Sequence, residues 1–166
     1  MKSLPRTVLA MYLLVLLWLV LFKFSSDPLS VLANYHTRSL NLIPFAGVAR
    51  SHLHETAYNI VAFIPLGLLL SINLKQTDFW RKLAYICMFS IAIEIVQFIF
   101  AIGRTDITDV ITNTLGGFLG LGLYRIGKRY IDSEKLDQFI VVTMLVLVIL
   151  FLLLRTLVFR VRYQAH

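Results

Sequence analysis

Glu94 and Gln97 stand three residues apart within an otherwise apolar run, and Asp106, Asp109 and Asn113 follow at spacings of three and four. On a helix, such spacings place each set on one face. Between the sets the chain reads Gly103-Arg104-Thr105-Asp106, a turn that carries a cation beside an acid, and Asn59 opens an earlier apolar run. Ionisable groups inside apolar segments are costly and face a cavity or a partner. The set Asn59, Glu94, Gln97, Arg104, Asp106, Asp109 and Asn113 therefore reads either as a ligand-binding pocket or as polar glue between helices, and the depth of Glu94 favours the pocket. If the site does chemistry, Glu94 or Asp109 suits a general base and Arg104 a phosphate grip.

Other chemistry is less well supported. Asp106 and Asp109 with Glu94 could hold a divalent ion, a weaker reading, and no metal is assigned. His36, His52 and His54 fit no zinc spacing and read as solvated interfacial residues. The chain has no Gly-rich phosphate loop, nucleophile elbow or H-E-x-x-H, so no cofactor is expected. Ser90, four residues before Glu94, reads as a helix-facing hydroxyl. Cys87, the single cysteine, lies in an apolar run, which excludes an intramolecular disulfide and predicts a small core residue.

The elements that would position these residues are membrane helices. Hydrophobic residues make up 58% of the 166-residue chain and charged residues 15%, more apolar surface than a water-soluble domain of this size could hide. Five apolar segments, at 8–24, 58–74, 83–102, 107–126 and 139–159, predict one all-α membrane domain over 1–166, a polytopic helical bundle. The fourth is the least apolar, so a full span inside the bundle and a re-entrant hairpin both stay open. Lys2 and Arg6 before the first apolar run predict an uncleaved signal anchor. The connection 25–57, with apolar patches at 29–35 and 40–49, is expected to lie along the membrane surface.

Gly116 and Gly120 form a G-x-x-x-G pair expected to pack inside the bundle, and Pro65 with Gly67 is expected to kink the second helix. The net charge of +7 has the pattern of basic cytoplasmic loops, with no surface for nucleic acid. Placing the N-terminus inside puts Lys2, Arg6, Lys75, Arg81, Lys82, Arg125, Lys128, Arg129 and Lys135 in the cytoplasm, against Lys23, Arg38, Arg50 and Arg104 outside. Arg155, Arg160 and Arg162 would join the outer set and weaken the bias. In this orientation the polar set occupies the outer half of the bilayer, with Glu94 ~15 Å deep if its helix follows the normal.

Three stretches give the chain a resemblance: Asn41-Leu42-Ile43-Pro44-Phe45; Asn59 with Phe63-Ile64-Pro65-Leu66-Gly67; and Glu94 and Gln97 followed by Arg104, Asp106, Asp109, Asn113, Gly116 and Gly120. In these the chain resembles the VanZ-like family over nearly its whole length. The resemblance implies a multi-pass protein of the bacterial cell membrane. It also implies an accessory role in glycopeptide resistance, mainly to teicoplanin, without remodelling of the D-Ala-D-Ala precursor termini. The expected partners are membrane lipids together with a lipidated glycopeptide or a lipid-linked cell-wall precursor. The leading expectation is a non-enzymatic binder, followed by an enzyme modifying a lipid or lipid-linked precursor, and then by a transporter.

Overall fold

The computed structural model describes residues 3–21, 39–45, 50–101 and 104–164. Among them five helices form: α1 (Ser3–Leu21), α2 (Arg50–Asn73), α3 (Phe79–Phe100), α4 (Ile107–Tyr130) and α5 (Ser133–Gln164). The helical expectation holds with one addition. Two short strands, β1 (Ser39–Asn41) and β2 (Arg104–Asp106), pair in parallel with Ser39 opposite Arg104, Leu40 opposite Thr105 and Asn41 opposite Asp106.

Local chemistry sets the helix ends. Asp78 caps α3 from an extended backbone conformation, its carboxylate accepting the Arg81 N–H at 2.8 Å. The same helix closes on Ala101, whose left-handed backbone (φ 52°) turns its N–H back to the carbonyls of Gln97 and Phe98. Asp106 caps α4 by accepting the Thr108 N–H at 2.9 Å. Asp132 accepts the N–H groups of Glu134 and Lys135, so α5 starts at Ser133, ahead of the apolar run expected to open it at 139. The second helix also begins early, at Arg50, which takes residues 50–57 out of the expected surface segment. Residues 39–45 of that segment form β1 and the turn after it. The remainder of the segment, His36 included, lies outside the described residues, as do the side chains of His52 and Arg104.

Contacts between helices fix their directions. Asn73 of α2 donates to the Pro5 carbonyl and Tyr12 of α1 to the Ala62 carbonyl, an antiparallel pair. Between α3 and α4, Asn113 bonds Ser90, and a Cβ on Gly117 would meet Ile86, again antiparallel. By contrast, α2 and α4 run parallel. A side chain on Gly116 would overlap the Ile60 carbonyl, one on Gly120 the Ile64 carbonyl, and one on Gly67 the Gly117 carbonyl. This is the most extensive helix pair of the described fold, and the absent side chains allow it. The G-x-x-x-G pair thus packs within the bundle. Pro65 lies inside α2, which stays one helix from Arg50 to Asn73.

The core is a stripe from each helix. Val8, Tyr12, Leu16 and Val20 recur every four residues on α1 and meet Phe63, Leu66, Leu69 and Ile72 of α2 and Ile86 and Ile93 of α3. Ile140, Val141, Met144 and Val148 of α5 close the cluster. The outward faces are equally apolar: Val61, Met88, Ile95, Leu123, Leu147 and Leu153 are each more than half exposed or close to it. A water-soluble protein rarely exposes so continuous an apolar surface, whereas lipid accepts it. Four helices, α1, α2, α3 and α5, are long and apolar enough to cross a membrane. The fifth, α4, is a single unbroken helix rather than a hairpin, ~36 Å long at 1.5 Å per residue. Cys87 corrects the core expectation, being only half-buried.

Because the helices alternate in direction, their ends collect in two groups. One end carries Arg6, Lys75, Arg81, Lys82, Arg125, Lys128, Arg129 and Lys135. The other carries the β1–β2 ladder, the start of α4 and the end of α3.

Candidate functional site

The site is built on the turn that joins α3 to α4. Glu94 is buried on the last turns of α3, and its Oε2 accepts the Asp106 N–H at 3.0 Å. Thr105, also buried, donates its hydroxyl to the Glu94 carbonyl at 3.3 Å. One backbone N–H and one side-chain hydroxyl of β2 thus find acceptors on Glu94 of α3, and the short ladder is held from that side as well as by β1.

On the other side, Asn41 of β1 donates Nδ2 to Asp106 Oδ2 at 2.9 Å, while its own Oδ1 accepts the Ile43 N–H at 3.2 Å. Phe45 then donates its N–H to the Thr108 hydroxyl at 3.0 Å. The Asp106 carboxylate is thus shared between its helix cap and Asn41. It lies at the positive end of the α4 dipole, which favours a carboxylate there.

One turn further along α4, Asp109 is buried, and its Oδ1 accepts Asn59 Nδ2 at 2.8 Å. This bond spans the parallel pair α2 and α4. Thr112 turns its hydroxyl back to the carbonyls of Thr108 and Asp109. Asn113 is fully buried and donates Nδ2 to Ser90 Oγ at 2.9 Å, joining α4 to α3.

Of the residues marked by the sequence, Asn59, Glu94, Asp106, Asp109 and Asn113 gather around the first two turns of α4. Gln97 faces elsewhere: it is buried and donates Nε2 to the Val20 carbonyl near the end of α1. Arg104 is described through its backbone alone, in β2 opposite Ser39. Among the described residues Gln97 Oε1, Asn113 Oδ1 and Thr114 Oγ1 are buried without a hydrogen-bond partner. Each such atom costs about 1–3 kcal/mol unless a donor reaches it. No group of three or more His, Cys, Asp and Glu arranged to hold a metal ion occurs among the described residues.

Three members of the network were missed as site residues. In the sequence Asn41 stands out only as part of a motif and Thr105 only as part of the turn before Asp106, and Thr108 carries no mark. Their signal is faint: an Asn whose side chain can close a turn onto the residue two further on, and threonines around a capping Asp. Ser90, read as a helix-facing hydroxyl, is the fully buried acceptor for Asn113.

Comparison with known proteins agrees with the motifs. The VanZ/LLP1 family model matches residues 9–128, which run from α1 to the end of α4 and include the whole polar network. Protein VanZ of Enterococcus faecium is 51% identical over 155 residues, covering 93% of this chain and 94% of that protein. No solved structure matches the chain. With the family model spanning most of its length and a relative this similar over nearly all of it, the chain belongs to the VanZ/LLP1 family.

Proposed function

We propose that this chain is an accessory protein of glycopeptide resistance in the bacterial cell membrane. It binds a lipidated glycopeptide such as teicoplanin, or the lipid-linked precursor that anchors the drug, at the polar network around the start of α4, and thereby lowers drug action at the membrane. Family membership supports the resistance role. The binding role rests on one observation. Polar side chains from α2, α3, α4 and β1 converge at the end of the bundle opposite its basic residues, which is the outer end if basic loops stay in the cytoplasm. In that orientation α4 crosses with the other four helices, the N-terminus is cytoplasmic, and the C-terminus is outside. Asn113 Oδ1 is an acceptor that an amide or hydroxyl donor of a ligand would satisfy.

A membrane enzyme modifying a lipid or lipid-linked precursor is the second reading, with Glu94 or Asp109 as base and Arg104 on a phosphate. It ranks lower because these carboxylates also hold the fold: Glu94 accepts from Asp106, and Asp109 from Asn59.

The test expresses wild type and Glu94→Gln at equal membrane abundance in a sensitive Gram-positive host and compares teicoplanin with vancomycin, which lacks the acyl chain. Protection against teicoplanin alone, lost in Glu94→Gln, is the expected result. Equal protection against both drugs, or full protection by the variant, removes the binding site from this network. A covalently altered lipid or precursor in extracts of expressing cells would favour the enzyme.

A further inference from the structure

The basic end of the bundle holds a lysine that the polar network does not use. Lys82, in the first turn of α3, is only 9% exposed. Among the described residues its ammonium has neither a hydrogen bond nor an ion pair. Lys128 and Asp78 are charged groups that act on it. Asp78 is already committed, since its carboxylate accepts the Arg81 backbone N–H at 2.8 Å and pairs with Arg81 Nε at 3.0 Å. Asp137, at the same end of the bundle, is likewise held, by Lys75 and by the Tyr124 hydroxyl. Lys128 lies on the last turn of α4 with its ammonium 5.8 Å from the Tyr124 ring centroid. Antiparallel packing of α3 and α4, fixed by Ser90–Asn113 and by Ile86 against Gly117, brings the two lysines to the same end of the same seam.

Two cations at one end of one seam, one of them largely desolvated, favour an anion that can reach both. The surroundings indicate what carries it. Trp80 is 71% exposed and Tyr130 83%, aromatic side chains of the kind that favour the zone where headgroups meet hydrocarbon. Beyond them the outward faces of α3 and α4 present Tyr85, Met88, Leu123 and Ile126 to lipid. We propose that Lys82 and Lys128 form a binding site for the phosphate of an anionic phospholipid at the seam between the start of α3 and the end of α4. The lipid's acyl chains lie along the exposed apolar faces of the two helices. In the orientation argued above, this site faces the cytoplasmic leaflet.

Trp80 reports on the site directly, because Trp18 is the only other tryptophan and Trp18→Phe isolates it. The full-length Trp18→Phe protein is reconstituted into phosphatidylcholine vesicles containing increasing fractions of brominated phosphatidylglycerol or, separately, brominated phosphatidylcholine. Quenching of Trp80 is expected at a several-fold lower fraction of the anionic lipid. Lys82→Gln should bring the two curves together. Arg125→Gln, which removes the same charge from the same end, should leave them apart. Because Lys82 is buried, Lys128→Gln at an exposed position provides an independent variant, and it too should narrow the gap. Inorganic phosphate added to 10-fold over lipid should not restore the quenched fluorescence if the acyl chains contribute. Full restoration would reassign the site to a free anion. Equal quenching by both lipids in the Trp18→Phe protein overturns the proposal, as does an undiminished preference in the folded Lys82→Gln or Lys128→Gln protein.

Discussion

Asn59 Nδ2 donates to Asp109 Oδ1 at 2.8 Å, a single bond that ties the first half of α2 to the first turns of α4 in the parallel pair. It fixes the register in which Gly116 and Gly120 lie against the Ile60 and Ile64 carbonyls. Asn59→Ala leaves a buried carboxylate without this donor and should lower stability by about 1–3 kcal/mol. Thermal unfolding in detergent of Asn59→Ala, Asp109→Asn and the double variant measures the coupling. Purely additive effects would show that the bond contributes nothing beyond its separate ends.

The glycines of α4 should separate sharply by position. Gly116→Ala and Gly120→Ala force a Cβ into the backbone of α2, which cannot yield as a side-chain tip can. Neither variant should accumulate as folded protein in the membrane. Gly122 has nothing within 4 Å of an added Cβ, so Gly122→Ala should be stabilising by up to about 1 kcal/mol through helix propensity. Folded yield after mild extraction, compared across the three variants, checks the ranking.

Asn41 holds β1 to the α4 cap, so its loss should loosen that segment alone. In Asn41→Ala, amide hydrogen exchange should rise in peptides covering 39–45 and 104–108 and stay unchanged in α1 and α5. Asn41→Asp should be worse, because it sets a second carboxylate against Asp106. If the binding site lies here, both variants should also weaken teicoplanin protection.

Alternation of the five helices gives a topology test. In a Cys87→Ser background, Leu42→Cys stands at the ladder end and Gln76→Cys in the connection between α2 and α3, both exposed. A membrane-impermeant maleimide should label the first in intact cells and the second only after permeabilisation. The reverse pattern would turn the protein over and place the polar network at the cytoplasmic face.

The charge at the far end of α5 has a structural answer of its own. Arg155, one of the residues that weakened the basic bias, lies over the Trp18 ring, its guanidinium carbon 4.1 Å from the centroid. A cation on an aromatic face is worth ~0.5–2 kcal/mol. Trp18→Leu should therefore lower the melting temperature more than Phe151→Leu, although Trp18 and Phe151 share one edge-to-face contact.

Much of this protein is written in local sequence. Apolar run lengths gave the four most apolar helices, because a helix that meets lipid must satisfy its own backbone and cover itself with hydrocarbon. The spacing of four placed Asp109 with Asn113 at the start of α4, whereas Gln97, three residues after Glu94, turns to the Val20 carbonyl of α1; the motifs carried the family. The ends of α2 and α5 were misjudged because hydrophobicity marks where lipid begins, whereas caps such as Asp132 mark where a helix begins. What only the tertiary structure decided is which faces meet. Periodicity defines a stripe on each helix but not its rotation toward a neighbour. That rotation follows from backbone approach at Gly67, Gly116 and Gly120, and from bonds between residues 50 and 65 positions apart, Asn59 to Asp109 and Asn41 to Asp106. The parallel ladder has the same origin: three residues have no strand signal of their own, and they pair where Asn41 and Thr105 are buried and their backbone groups need partners.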